Sequence, residues 1–494
     1  MHLSMSDMLH MPKLFISFAC TLACVYGTQK NLVLVGGNLQ EDNEQVYSLI
    51  VELAGGRGNA KIGLVTAANL NPENSAQYYQ DMFQGRYGAV EATWIPIDIY
   101  RKENNSDPEV VALINGMTGF FFGGGDQIHV IESLYIGDRQ ESPVLAAIRE
   151  KFEAGTVVAG TSAGAACQSS AVMIVFVGLS YNALAHGVND YYDSDIPDEV
   201  AYNRSGGIGL APRFVVDVHF SEKGREGRLI RLLADTKDEP NGATLGVGVD
   251  ENTALHLTWD TDPDSAVGTV VGAGGVMMVD ISSAVISTSS DFDIKDVVTS
   301  YLTEEDRVDF ATKQVTFALW KQSLAGNERF DHAVGSDDIF SSPYASYRKS
   351  REWTRVATSL FNSRLDNIVY GRTYEKNPQF EVVMSNRAGG AEAVGGNSTT
   401  TGNYVISYKG MTVRIHPYDA TSTTDRCRAN VAFLLALVPA LPDASVMLNP
   451  VWAVMSLFSS ASPEQSLTPV KPVIPDSIPV GPEYLAVWNT GPPV

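Results

Sequence analysis

From residue 31 onward, short and wholly apolar runs alternate with stretches of helical spacing, and this alternation limits the fold more than any other feature. Asn31-Leu32-Val33-Leu34-Val35 reads as a strand that stops at Gly36-Gly37. Helical spacing over 44–54 leads to a second strand, Lys61 to Thr66. A helix near 74–85 leads to a strand near 93–98, and Gly119-Phe120-Phe121-Phe122 is a further strand that stops at Gly123-Gly124-Gly125-Asp126-Gln127. A helix over 142–154 precedes Thr156-Val157-Val158-Ala159. Strands that are apolar on both faces must be covered on both, so the pattern predicts an α/β fold with a mostly parallel sheet and helices on each side. Ligands of such sheets bind at the carboxyl ends of the strands, where the Gly-rich turns at 123–127 and 160–164 both fall.

The second of these turns, Gly160-Thr161-Ser162-Ala163-Gly164, is followed by Ala165-Ala166-Cys167. Strand, tight turn and helix with a serine at the apex form a nucleophile elbow, in which small neighbours allow a strained turn that exposes the hydroxyl. A serine needs a base and a home for the developing oxyanion. Main-chain N–H groups at Gly125 and Ala163 are the candidates for that home. No Lys-Ser/Thr pair follows Gly125, which sets a P-loop nucleotide site aside. His219 ends the apolar run Phe214-Val215-Val216-Asp217-Val218 and is the candidate base. Lys223, Arg225 and Arg228 follow at once. In an acidic protein, clustered cations beside such a site suit recognition of a carboxylate; a solvated helix face is the other reading. Leu245-Gly246-Val247-Gly248-Val249 is another strand that delivers polar residues, Asp250 and Glu251, at its end.

A chain of 494 residues exceeds one ordinary core, and its net charge of −22 argues against nucleic acid or an anionic membrane as partner. Residues 1–27 read as a secretory signal peptide, with Lys13 before the short apolar run Leu14 to Cys24. Beyond that leader, Cys167 and Cys427 provide no disulfide framework, at most a single bridge. Asn104, Asn203 and Asn397 sit in N-x-S/T sequons, which mean glycosylation in a eukaryotic secretory route. Residues 431–442 are apolar but short and broken by Pro439, so they read as a buried helix rather than a membrane span. Thr303-Glu304-Glu305-Asp306 has the form of a capping box, Ser350 to Asn362 is helical, and 387–402 reads as a Gly/Ser/Thr-rich linker. The expected organisation is a leader (1–27), a catalytic domain (28–318), an extension of unassigned role (319–462) and a Pro-rich tail (463–494).

Four motifs occur in order: Gly123-Gly124-Gly125-Asp126-Gln127, Gly160 to Ala165, Asp217-x-His219-Phe220-Ser221 and Gly248-Val249-Asp250-Glu251-Asn252-Thr253-Ala254. Together they resemble the cyanophycinases, serine peptidases of family S51 related to aspartyl dipeptidase. The resemblance covers roughly residues 30–317. It implies a flavodoxin-like fold related to class I glutamine amidotransferases, no cofactor or metal, and a peptide or polyamide substrate with β-linked aspartate. The implied activity is secreted hydrolysis of β-aspartyl-arginine isopeptide bonds in cyanophycin. By the same resemblance Ser162 is the nucleophile, His219 the base, and Gln127, Asp217, Lys223, Arg225 and Arg228 match substrate-contacting positions. The chain departs from the family at three points. Val218 replaces a polar residue, and Lys223 stands where arginine is usual. The triad acid, sought after Met173-Ile174-Val175, falls on Tyr181 or Ser180. The expectation is that an aspartate among Asp190, Asp193 and Asp195 orients His219 and that Tyr181 does not. The competing expectation is a catalytically weakened homologue that uses the same crevice for binding; an α/β-hydrolase esterase is a distant third.

Overall fold

The computed structural model describes residues 28–175, 178–190, 199–287, 291–347 and 349–419. The leader, Asp193 and Asp195, Cys427, the apolar stretch at 431–442 and the Pro-rich tail all lie outside these residues.

The alternating segments form a nine-stranded sheet. Lys30–Val35 is flanked on one side by Val157–Thr161, Gly119–Phe122, Lys61–Val65 and Glu91–Trp94, in that order and all parallel. On its other side Thr253–Trp259, Val267–Gly272, Arg307–Asp309 and Gln314–Thr316 continue antiparallel. Alternate residues of the first strand enter two separate cores. Leu32 and Leu34 pack with Ile114, Ile128, Leu145 and Ile148, whereas Val33 and Val35 pack with Val46, Tyr47, Ile50 and Tyr79. Those partners belong to helices Pro108–Asn115, Gln127–Leu134 and Pro143–Glu153 on one face and Glu44–Leu53 and Pro72–Gln80 on the other. The sheet is therefore covered on both faces, as its apolar strands require.

A second, ten-stranded sheet begins with Val215–Val218 and Leu245–Val249, paired in parallel so that Val218 sits beside Val249. It continues antiparallel through Gly275–Asp280, Ile294–Thr303, Tyr404–Pro417, Phe380–Ser385 and Ile368–Arg372. The strand Tyr404–Pro417 lies between Ile294–Thr303 and Phe380–Ser385, so one sheet runs across residues 318 and 319.

Two local expectations are corrected. The stretch 387–402 contains the strand Glu392–Asn397, paired to Tyr404–Pro417. Its glycines serve close packing: a Cβ on Gly395 would lie 2.4 Å from the Tyr404 hydroxyl, and one on Gly396 would lie 2.7 Å from Trp320. Thr303 ends a strand and opens no helix. Glu304 instead accepts hydrogen bonds from the Ser398, Thr399 and Thr400 hydroxyls and from Gln45, which draws its carboxyl down to about 2 against the opposing cost of burial.

Candidate active site

Three strand ends meet at one point. Ser162 follows Val157–Thr161 with φ 53° and ψ −119°, the strained turn of a nucleophile elbow. His219 follows Val215–Val218 with φ 47°. Glu251 follows Leu245–Val249 by two residues. Left-handed backbone at a non-glycine residue costs of order 1–3 kcal/mol and persists only where its surroundings over-determine it.

The surroundings here are three successive carbonyls at the end of the first strand. Val35 O accepts the Ser162 N–H at 3.0 Å, Gly36 O the His219 N–H at 2.7 Å and Gly37 O the Asn252 N–H at 2.9 Å. One turn thus pins all three functional residues, the last through its neighbour. Only glycine fits at either position. A Cβ on Gly36 would lie 2.0 Å from Asp250 O, and one on Gly37, at φ +99°, would lie 2.3 Å from His219 Cε1.

Ser162 Oγ lies 2.8 Å from His219 Nε2, and His219 Nδ1 lies 2.7 Å from Glu251 Oε1. The second oxygen of Glu251 accepts from Asn38 Nδ2 at 2.9 Å. An ionised carboxylate can only accept, so Nδ1 carries the imidazole proton and Nε2 is left to accept from the serine. The hydrogen bond from His219 draws the Glu251 carboxyl down to about 2; burial opposes this, and Asn38 and Lys223 assist. Burial holds His219 below its ordinary value, reinforced by Lys223 and Arg225 and opposed by Glu251. A neutral imidazole with a free Nε2 lone pair is the form a general base requires.

The acid is therefore Glu251, and the expectation of an aspartate among Asp190, Asp193 and Asp195 is corrected. Asp190 Oδ2 lies 3.7 Å from Arg204 Nε, and Glu251 already occupies Nδ1. Tyr181 packs its ring against Phe380 at 6.3 Å between centroids, and Ser180 Oγ donates to Gly224 O. Neither substitutes for the acid.

The expected substrate contacts divide. Asp217 is fully buried and Arg228 is 1% exposed. Arg228 Nε and Nη2 grip the two Asp217 oxygens as a fork, and Arg228 Nη1 donates to Gly178 O. These two residues form an ion pair with one another inside the structure. Arg225 is also buried, donates to Val218 O at 2.6 Å and lies 3.6 Å from Asp217. Lys223 is half-buried and near enough to act electrostatically on both His219 and Glu251. Gln127 is half-buried and donates to Ile174 O at 2.7 Å. Gly125 is exposed with φ +143°, and a Cβ there would strike Ala68 O at 2.1 Å. Ala163 opens the helix Ala163–Ala166 directly after the nucleophile. Cys167 is buried and forms no disulfide among the described residues, and burial pushes its thiol far up, away from the reactive thiolate. No group of metal-ligating side chains occurs among the described residues, nor does any helix long and apolar enough to cross a membrane.

A family model described as Peptidase family S51 matches residues 32–261, which span the elbow, the histidine and the glutamate. A cyanophycinase from Synechococcus elongatus is 27% identical over 300 residues, covering 58% of this chain and 81% of that protein. One from Nostoc sp. is 28% identical over 256 residues, covering 51% of this chain and 74% of that protein. Among solved structures, a peptidase from an acI-B1 Actinobacterium aligns at 21% identity with a TM-score of 0.39, over 58% of this chain and 99% of that one.

Proposed function

Residues 32–261 belong to peptidase family S51 and carry a serine-type peptidase, and from that premise we propose that the protein hydrolyses amide bonds of β-aspartyl-arginine units such as those of cyanophycin. The observation that carries the proposal is the unbroken relay from Ser162 through His219 to Glu251, at 2.8 and 2.7 Å. The case for a weakened, binding-only homologue rested on a missing acid, and Glu251 fills that place.

In this reading Ser162 Oγ attacks the scissile carbonyl while its proton passes to His219 Nε2. Glu251 stabilises the imidazolium that forms and does not itself take the proton. The negative oxygen of the tetrahedral intermediate is held by the N–H groups of Gly125 and Ala163. His219 then protonates the leaving amine, the C–N bond breaks, and an acyl ester remains on Ser162. Water, deprotonated by the same nitrogen, attacks the ester and frees the acid. In the same reading Lys223, whose charge acts on both His219 and Glu251, holds the carboxylate of the β-linked aspartate together with Gln127, and buried Arg225 adds positive potential. Secretion belongs to the same proposal and rests on the Lys13–Cys24 pattern of the leader.

The test is incubation of the purified protein with cyanophycin and with the β-aspartyl-arginine dipeptide, beside Ser162→Ala. Soluble products that depend on Ser162 support the proposal. Dipeptide release marks backbone cleavage, and free arginine marks cleavage of the isopeptide bond. Hydrolysis of ordinary α-linked peptides with both β-aspartyl substrates untouched would overturn it.

A further inference from the structure

The residues just behind the triad acid are tied to a part of the chain outside the S51 match. Asp250, the neighbour of Glu251, is fully buried. It accepts from the Ser221 N–H at 3.0 Å, the Gly275 N–H at 3.1 Å and the Tyr301 hydroxyl at 2.6 Å. Glu222 Oε2 accepts the backbone N–H of Glu251 itself at 3.1 Å. These two carboxylates meet one cation. Arg351 Nη1 pairs with Glu222, and Nη2 lies 2.8 Å from Asp250 Oδ2 and also reaches the Tyr301 hydroxyl.

Arg351 is itself held in an uncommon conformation. Its φ is 64°, at the entry to the helix Glu352–Phe361, and its N–H donates to Ser221 O at 3.1 Å. Its neighbours add two more links, Ser350 Oγ to Glu222 O at 3.2 Å and Thr354 Oγ1 to Ser221 Oγ at 3.1 Å. A strained non-glycine residue at such a junction is the kind of feature that persists for a function. The segment Ser350–Thr354 therefore grips the stretch Ser221–Glu222, two residues after the catalytic histidine, and also the acid-bearing turn.

We infer that Arg351 is a positioning residue for catalysis: it aims Glu222 at the backbone of Glu251 and so holds the Glu251 carboxylate against His219. The extension beyond the peptidase match thereby completes the active-site framework. The physical reason is charge balance. Glu222 and Asp250 would repel in a buried setting without the guanidinium between them, and an unpaired buried charge is costly. Burial and Asp250 already push Glu222 up to about 7 with Arg351 in place. Glu226, fully buried nearby with neither oxygen paired, is raised by its burial and adds no cation. Without Arg351, the Glu222 carboxyl loses the guanidinium that fixes its other oxygen and is no longer aimed at the amide of Glu251.

The inference rests on the triad geometry and not on the substrate, so its test uses no turnover. The imidazole of His219 is titrated by NMR in the full chain, its resonance assigned by loss in His219→Gln. The charged groups that act on it are Lys223, Arg225 and Glu251. Contact with Glu251 raises the His219 pKa, so loosening that contact lowers it. Arg351→Met is expected to lower it by about half a unit or more, and to produce no such fall when Glu251→Gln is already present. A through-space effect would have the opposite sign, because removal of a cation favours the imidazolium. A rise, no change, or a fall that persists undiminished beside Glu251→Gln overturns the inference. Should Arg351→Met fail to fold, Arg351→Lys keeps the charge and loses the planar fork. It must show a smaller fall that also vanishes beside Glu251→Gln, and absence of that fall overturns the inference equally.

Discussion

Glu251→Gln is nearly isosteric, and the structure dictates what it does. Glu251 stands between two donors, His219 Nδ1 at 2.7 Å and Asn38 Nδ2 at 2.9 Å. A carboxylate accepts from both, but a glutamine side chain has one oxygen and one NH₂. Turning the oxygen to Asn38 points the NH₂ at Nδ1, which forces the proton onto Nε2 and removes the lone pair that takes the serine proton. Turning the oxygen to His219 sets two NH₂ groups against each other. The first arrangement is favoured, and it is the wrong tautomer. Loss of a triad carboxylate through the tautomer costs about 10³–10⁴ in kcat, or about 4–5.5 kcal/mol in the barrier. Steady-state hydrolysis of β-aspartyl-arginine measures it, with the melting temperature as a control for folding. The second change Asn38→Asp supplies an acceptor for the NH₂, lets the glutamine oxygen face His219, and is expected to recover about tenfold of the lost rate by restoring the tautomer. If Glu251→Gln keeps more than a tenth of the activity while Asp190→Asn or Tyr181→Phe abolishes it, the assignment of the acid is wrong.

Three further outcomes follow from the same geometry. kcat/KM should rise with pH on an acid limb whose midpoint lies below the ordinary histidine value of about 6.5, because His219 must be neutral to act and burial with Lys223 and Arg225 disfavours its charged form; Lys223→Met should move that limb to higher pH. Gly37→Ala should cost at least about 10²-fold in kcat, because its Cβ would lie 2.3 Å from His219 Cε1 and displace the imidazole; activity near wild type would contradict the packing. Asp217→Asn leaves Arg228 buried without its counter-charge, so it should destabilise the fold by about 3–5 kcal/mol in denaturant titrations; a raised KM at unchanged stability would return Asp217 to substrate contact.

The mostly parallel sheet was legible because wholly apolar strands leave few other solutions, and Ser162 and His219 were legible because each ends such a strand. Glu251 was within reach. Two strands that each deliver polar residues at their ends bring those residues together if they pair in parallel, and Val218 does lie beside Val249. The family resemblance points to the residues after Met173–Val175 for the acid, whereas the parallel pairing sets it after Leu245–Val249. The Gly36-Gly37 turn was visible as punctuation, but its three carbonyl contacts join residues far apart in the chain. Arg225 and Arg228 read as a charged patch because charge in a sequence implies exposure; nothing local shows that Asp217 folds in beside them. The extension was hardest to read. The glycines at 395 and 396 give the composition of a linker, while their purpose is to seat Tyr404 and Trp320.

The relay with His219 and Glu251 requires that Ser162 form a covalent acyl intermediate. Rapid-quench mass spectrometry of the full chain, mixed with a β-aspartyl-arginine substrate, tests it most directly. A transient mass increase is expected on the peptide that contains Ser162, equal to the acyl half of the substrate, lost in Ser162→Ala and strongly slowed in Glu251→Gln. Turnover that continues in Ser162→Ala, with no adduct on the wild-type serine, would contradict it.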